Sequence, residues 1–439
     1  NTTTDGITNA GNFSTDGGTI KLDGNYPTGT ENTALGDTAL DSVQAGGNYN
    51  VVLGSRAGTN ITTGDNNVGV GAYALCDIQT NSQNVAIGTE TLKKNTASNN
   101  TAVGYISLRC NTSGCQNTAV GSEALKTNTT ANNNTAVGHC SLTLNTTGTR
   151  NTGTGKSSLQ ANTTGSCNSG HGMYALYNNT EGGNNVAVGT CSLFTNTTAD
   201  NNTAVGLCSL YANTTGSENT AVGTYALDAN TTGAKNTAVG KNAGSAITTG
   251  TFNDIFGRSA GFDLTTGDYN VAVGSGSLAN LTTTNDNTAV GHNALNTVVT
   301  GTQNTAVGTC ALHNTTVNCG TAVGYQALKL NTTGDKNTAV GRNSANNNTT
   351  GSDNTVVGFC SLGTNTTGAC NTAFGNYSLY SNTTANDNSA FGYNTLGLNT
   401  TGTNNVAMGR NALLNNTTAA NNTAVGKDSL CANTTSENA

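Results

Sequence analysis

Residues 219–235 read NTAVGTYALDANTTGAK, and residues 236–252 open again with NTAVG and run on as KNAGSAITTGTF. The same string continues in both directions. Counted from the Asn of NTAVG as position 1, coils begin at Asn32, Asn50, Asn67, Asn84 and Asn100, then every 17 residues to Asn304, and from Gly320 and Asn337 every 17 residues to Asn422. This makes 24 coils, of which 32–49 has 18 residues while 84–99 and 304–319 have 16. A fixed short period means that each unit buries its apolar face against the next.

Composition agrees with stacking and argues against an ordinary globular core. Of the 439 residues 34% are hydrophobic, 9% charged and 5% aromatic, with Pro27 the single proline and no tryptophan. Such a chain cannot fill a thick interior, and composition alone would permit disorder; the strict period excludes it. Asn, Thr and Gly are poor helix formers, which argues against a helical solenoid too. The sequence therefore predicts an all-β fold, an elongated parallel β-solenoid (β-roll) of 24 coils of about 17 residues. Each coil reads as a strand over positions 1–4, a Gly corner, a short strand over about positions 7–10, and an NTTG turn.

The positions divide by what they tolerate. Position 5 is Gly in all 24 coils, including Gly104, Gly121, Gly138, Gly206, Gly223 and Gly240. These are structural corner glycines, required by a positive φ or by a close backbone approach. Position 1 is Asn in 23 of the 24, which suits a side-chain ladder from coil to coil. Position 4 is apolar in 22 coils and position 2 is mostly Thr or Val. The two share strand parity, and they are assigned to the core together with position 9, which is Leu in 20 coils. Where position 9 is Gly (Gly58, Gly244, Gly261), position 12 changes from its usual Asn to Ile61, Ile247 and Leu264. Such volume compensation suggests one shared space, although Ile78, Leu281 and Val298 occupy position 12 beside an intact Leu. Every Lys and Arg in the repeats falls at positions 6, 7, 10, 11 or 17, which marks the solvated side.

Residues 1–31 lie outside the repeat, carry the alternating Thr19-Ile20-Lys21-Leu22, and are expected to be an N-terminal cap or joint; residues 32–439 form the solenoid. The last coil has no cap, so the chain is expected to continue or to abut another subunit. The lack of an initiating Met and of a signal peptide points to a processed or partial product.

Chemistry-bearing residues are sparse. The net charge is −7 with no basic patch, which argues against nucleic acid as a partner, and no apolar run is long enough to insert in a membrane. His171 replaces the position-4 apolar residue beside Thr154, and both follow a glycine, Gly170 and Gly153. Three copies facing an axis would make a metal site; the simpler reading is a loosened core with a water-satisfied His. No carboxylate pair recurs at matching positions, as glycoside hydrolysis needs. The expectation is no catalytic residue, no enzyme activity and no cofactor. Cys110 with Cys115, Cys310 with Cys319, and Cys360 with Cys370 each fall within one coil, so that disulfides would clip a turn; Cys140, Cys191 and Cys208 share position 7 with Cys310 and Cys360. The Asn-x-Thr sequons at position 12, such as Asn128, Asn213 and Asn399, are better explained by turn chemistry than by glycosylation; Asn133 and Asn201 are the outer ones.

The string NTAVGxxALxxNTTGxx resembles two repeat groups. One is the head of trimeric autotransporter adhesins, matched most clearly at Asn84-Val85-Ala86-Ile87-Gly88 and Asn185-Val186-Ala187-Val188-Gly189. The other is the repeat region of phage tail-fibre-like proteins, which the segment GGTIKLDGNYPTGT near the N-terminus resembles more. The resemblance implies a left-handed β-roll, commonly a homotrimer, with an attachment role. The leading expectation is thus a non-enzymatic fibrous rod on a virion or outside the cell, presenting positions 6, 7, 10 and 11, with Tyr105, Tyr225 and Tyr377, to a host or cell-surface glycan or receptor. The alternatives are a structural subunit of an extracellular filament and an ice-binding solenoid using the Thr ladders at positions 13 and 14. Self-association as a homotrimer or filament is expected because each coil has so little core. The small residues of positions 3 and 8, such as Ala221 and Ala226, would let neighbouring chains approach.

Overall fold

The computed structural model describes residues 31–297 and 300–434, so the expected N-terminal cap lies outside the described residues except for Glu31. Two compact units divide the chain between Met173 and Tyr174. Both are parallel β-solenoids, and no helix occurs among the described residues. The first unit carries strands β1 (Thr33–Leu35) to β9 (Ser169–His171), and the second carries β10 (Val186–Val188) to β24 (Thr423–Val425), each of three residues.

Within each unit every strand pairs in parallel with the next, position on position. Val205 lies on Val222 in the pairing of β11 (Thr203–Val205) with β12 (Thr220–Val222). The coils of irregular length keep this register. Thr33 still meets Val51 across the 18-residue coil, and Val85 meets Thr101 and Thr305 meets Thr321 across the 16-residue ones. The change is absorbed in the turn: Asn95 donates to Ala97 O, two residues on, where a full coil has Asn230 donating to Gly233 O, three residues on.

The strand faces are reversed relative to expectation. Position 3 is the buried one: Ala221, Ala238 and Ala289 are fully buried, while Thr and Val at positions 2 and 4 point outward. Side chains alternate along a strand, so one face must be chosen, and the coil is too thin to choose the larger residue. Gly69 shows the constraint, since a Cβ there would stand 3.2 Å from Leu75 Cδ1. Position 3 abuts the Leu of position 9, and Ala fits the gap. Position 8 is interior as well, with Ala226 and Ser209 fully buried. Positions 3 and 8 therefore belong to the chain's own core, and the expectation that they meet a neighbouring chain is corrected.

The second strand over positions 7–10 is also absent. Residues 224–229 form turns, in which Tyr225 and Leu227 adopt φ of 56° and 50°. Left-handed backbone costs an L-residue roughly 1–2 kcal/mol. Burying the Leu side chain returns about 1.5–3 kcal/mol, which explains why Leu persists at position 9 of so many coils.

Two further features complete the interior. At Gly223 φ is +140°, and a Cβ would lie 2.4 Å from Gly240 O of the next coil, so both the angle and the space restrict the corner. Two rows of Asn fill the polar part of the core. Asn219 Oδ1 accepts the Asn236 backbone N–H at 2.9 Å, and Asn236 Nδ2 donates to Gly250 O at 2.8 Å. At position 12, Asn213 Nδ2 donates to Asn196 Oδ1 at 2.9 Å and to Gly216 O at 2.9 Å. Where they run unbroken, the ladders pair the amides from coil to coil, which is what makes their burial tolerable.

Candidate functional surface

With Ala turned inward, each unit presents a sheet face built from positions 2 and 4. In the second unit the fifteen strands β10–β24 offer Thr, Val, Ser, Phe and Met there, and the only charged residue among those positions is Asp254. Phe374 and Phe391 stack at 6.4 Å and are 50% and 38% exposed, with Met408 beside them at 49%. In the first unit the same positions carry no Asp, Glu, Lys or Arg, and His171 is among them.

His171 lies on this face. It is exposed and shares a hydrogen bond of 2.6 Å with Thr154 Oγ1 on the adjacent strand β8 (Thr152–Thr154). The core reading of His171 is thereby corrected: position 4 faces outward. No cluster of three or more His, Cys, Asp or Glu with metal-binding geometry occurs among the described residues.

The turn positions carry the charges and most aromatic rings, and these pair along the coil stack. Tyr177, Phe194 and Tyr211 all occupy position 10 and stack at 5.1 and 5.2 Å with ring planes 4° and 8° apart. Stacked in this way, the rings turn their edges outward and occupy one another's faces. Arg342 lies between Tyr325 and Phe359 at 5.8 and 5.7 Å, a cation held between two π-faces of position 6. Tyr105 and Tyr225 are exposed, whereas Tyr377 is half-buried, edge-on to Phe359 at 5.3 Å. A notch of about 150 Å³ opens beside Gly363, which has no side chain at position 10, and is lined by Asn346, Asn347 and Tyr380, whose ring lies 2.8 Å from where a Gly363 Cβ would stand.

Acids neighbour one another on the turns, where the Asp286 backbone N–H donates to Asp268 O at 3.2 Å and that of Asp353 to Asp335 O at 3.0 Å. Glu90 is bound by Lys93 and Arg109, each at 2.8 Å, and the hydrogen bond from Lys93 holds its carboxyl below the usual range. Burial pushes the Asp228 carboxyl up, and no second acid acts on it. Position 13 hydroxyls are engaged by backbone, as when Thr214 Oγ1 donates to Thr231 O at 3.0 Å. That removes half of the Thr array on which an ice-binding reading of positions 13 and 14 rests. The position-12 sequons Asn128, Asn213 and Asn399 are fully buried, while Asn133 and Asn201 are exposed.

All twelve cysteines are free thiols. The pairings Cys110–Cys115, Cys310–Cys319 and Cys360–Cys370 are not formed, because parallel stacking gives each position its nearest neighbour in the adjacent coil. Cys319 shows this, its Sγ donating to Gln303 Oε1 at 3.5 Å in the preceding coil. Cys191 and Cys208 are the exception in kind: they occupy position 7 of consecutive coils, close enough for each thiol to perturb the other. The signal was in the sequence, as two cysteines one period apart.

No protein-family model matches this chain, and no curated protein is significantly similar to it.

Proposed function

We propose that the chain is a non-catalytic fibrous protein that assembles with further copies of itself through the outward sheet face and presents its turn positions for attachment to a host or cell surface. The observation that carries this reading is the near absence of charge over positions 2 and 4, while the turn positions of the same coils are charged and variable. An uncharged parallel sheet face with exposed Phe and Met has the character of an interface core. In the second unit, fifteen strands spaced by about 4.8 Å and three residues rising about 3.3 Å each give a strip on the order of 700 Å². A stable protein interface needs about 800 Å² per partner, so one unit's face comes close to sufficing for a second copy. A subunit of an extracellular filament would use the same face, and a tail fibre or adhesin would add a receptor on the turns.

Light scattering on the full chain tests this. The reading predicts a mass that is a multiple of 44.0 kDa. Val290→Lys with Val307→Lys should return a single folded chain, and Lys336→Glu on the turns should leave the assembly intact. A lone wild-type chain at high concentration would contradict it. So would thermal hysteresis lost on the same Val substitutions, which would give the face to ice instead.

A further inference from the structure

Cys191 and Cys208 stand one above the other in the second unit. Their strands, β10 and β11, pair in register, and the Cys208 backbone N–H donates to Thr190 O at 3.0 Å, which fixes the stack at the cysteines themselves. Both residues are left-handed, with φ of 55° and 52°, so their side chains leave the backbone in the same direction. Both are half-buried. The other position-7 cysteines lack such a partner: Cys140 lies between Glu123 and Ser157, Cys310 between Asn293 and Gln326, and Cys360 between Asn343 and Tyr377.

Spacing decides what the pair can hold. Parallel side chains stacked about 4.8 Å apart keep their Cβ atoms about as far apart. A disulfide needs Cβ atoms at about 3.5–4.5 Å, so closing one requires the two coils to approach. A cation bound linearly between two thiolates needs the sulfurs about 4.6 Å apart if each metal–sulfur bond is about as long as the 2.3 Å of a zinc thiolate. That separation is close to the spacing of the stacked coils, so binding does not require them to approach. Two ligands and no third suit a cation that is content with linear coordination, and thiolate sulfur selects soft ions.

We infer that Cys191 and Cys208 together form a two-coordinate binding site for a soft monovalent cation of the Cu(I) or Ag(I) type. On binding, each thiol gives its proton to the solvent and forms one metal–sulfur bond. The product is a bis-thiolate with one net negative charge, two protons are released, and no electron is transferred. Burial raises both thiols, so without the cation they remain protonated, and Asp228 beside Cys208 adds negative charge that favours a cation.

The test is an anaerobic titration of the full chain with Cu(I), using a chromophoric Cu(I) chelator as competitor and native mass spectrometry to count cations per chain. Wild type should retain one cation against the chelator, with two sulfur neighbours by X-ray absorption. Cys191→Ser and Cys208→Ser should each abolish that cation while leaving the circular dichroism spectrum unchanged. Cys140→Ser, at the same position of another coil, should retain it. Retention in either Cys191→Ser or Cys208→Ser would overturn the inference. So would ready formation of a Cys191–Cys208 disulfide by oxidised glutathione in the folded chain, since the spacing argument would then be wrong.

Discussion

Asn230 Nδ2 donates to Asn213 Oδ1 at 2.8 Å, and there the ladder stops, because the next coil has Ile247 at that position and leaves Asn230 Oδ1 buried without a partner. The break has a cause. Gly244 stands where most coils have Leu, and a Cβ on it would lie 2.9 Å from Ile247 Cδ1. Ile247 fills the space of the missing Leu at the expense of one hydrogen bond.

This exchange predicts strong coupling. Gly244→Leu alone should overpack against Ile247 and cost about 1–3 kcal/mol. Ile247→Asn alone should satisfy Asn230 but leave a cavity. The double substitution restores the common coil, and denaturant unfolding should show it to be more stable than the sum of the two by about 1–3 kcal/mol. Additive effects would mean that the two side chains do not share a space.

The strand orientation makes a sharper prediction. Val222→Lys places a charge on the outward face and should change the stability of a single chain by no more than about 1 kcal/mol, whereas Ala221→Lys buries one in the chain's own core and should prevent folding or cost at least several kcal/mol. Thermal unfolding of the two single variants distinguishes them. The reverse order would restore positions 2 and 4 to the core.

Corner geometry predicts that Gly223→Val is severely destabilising, by more than about 4 kcal/mol, because the residue cannot take φ of +140° and its Cβ meets Gly240 O. Lys235→Ala should cost about 0.5–1 kcal/mol at most, the value of its contact with the Phe252 ring at 5.0 Å. Equal shifts in melting temperature would contradict the corner account.

How much of this was legible is best judged position by position. The period, the in-register stacking and the exchange between positions 9 and 12 follow from the string itself, since a repeat shows its geometry by what it refuses to vary. Gly58 shows a half-seen case: Ile61 Cδ1 comes within 2.9 Å of a Cβ there, but Val52 Cγ2, at position 3, comes within 3.2 Å, and Ile255 plays that part at Gly261. Hydrophobicity alone misleads about the parity of the strand, because Val is more hydrophobic than Ala. The better signal was strictness. Position 3 never carries a hydroxyl or a charge, whereas position 2 accepts Asp254 and position 4 accepts His171. Burial in a thin coil selects for size before hydrophobicity. The outward face, and with it the surface proposed for assembly, shows only when position 3 is taken as the core.

Arg342 offers an independent check on side-chain stacking along the turns. Arg342→Ala should lose about 1 kcal/mol, and Arg342→Lys should lose less. If salt abolishes the effect, the two rings do not shelter the guanidinium and the contact is an ordinary surface charge.

The central claim is that Thr and Val of the repeated strand face another copy of the chain. Electron microscopy of the assembled full chain at side-chain resolution tests it most directly. The account predicts that Thr305, Val307 and their counterparts pack against a second chain, with Ala306 inward and Arg342 and Lys336 open to solvent. Copies joined through the turn positions, with the Thr and Val rows facing water, would contradict it.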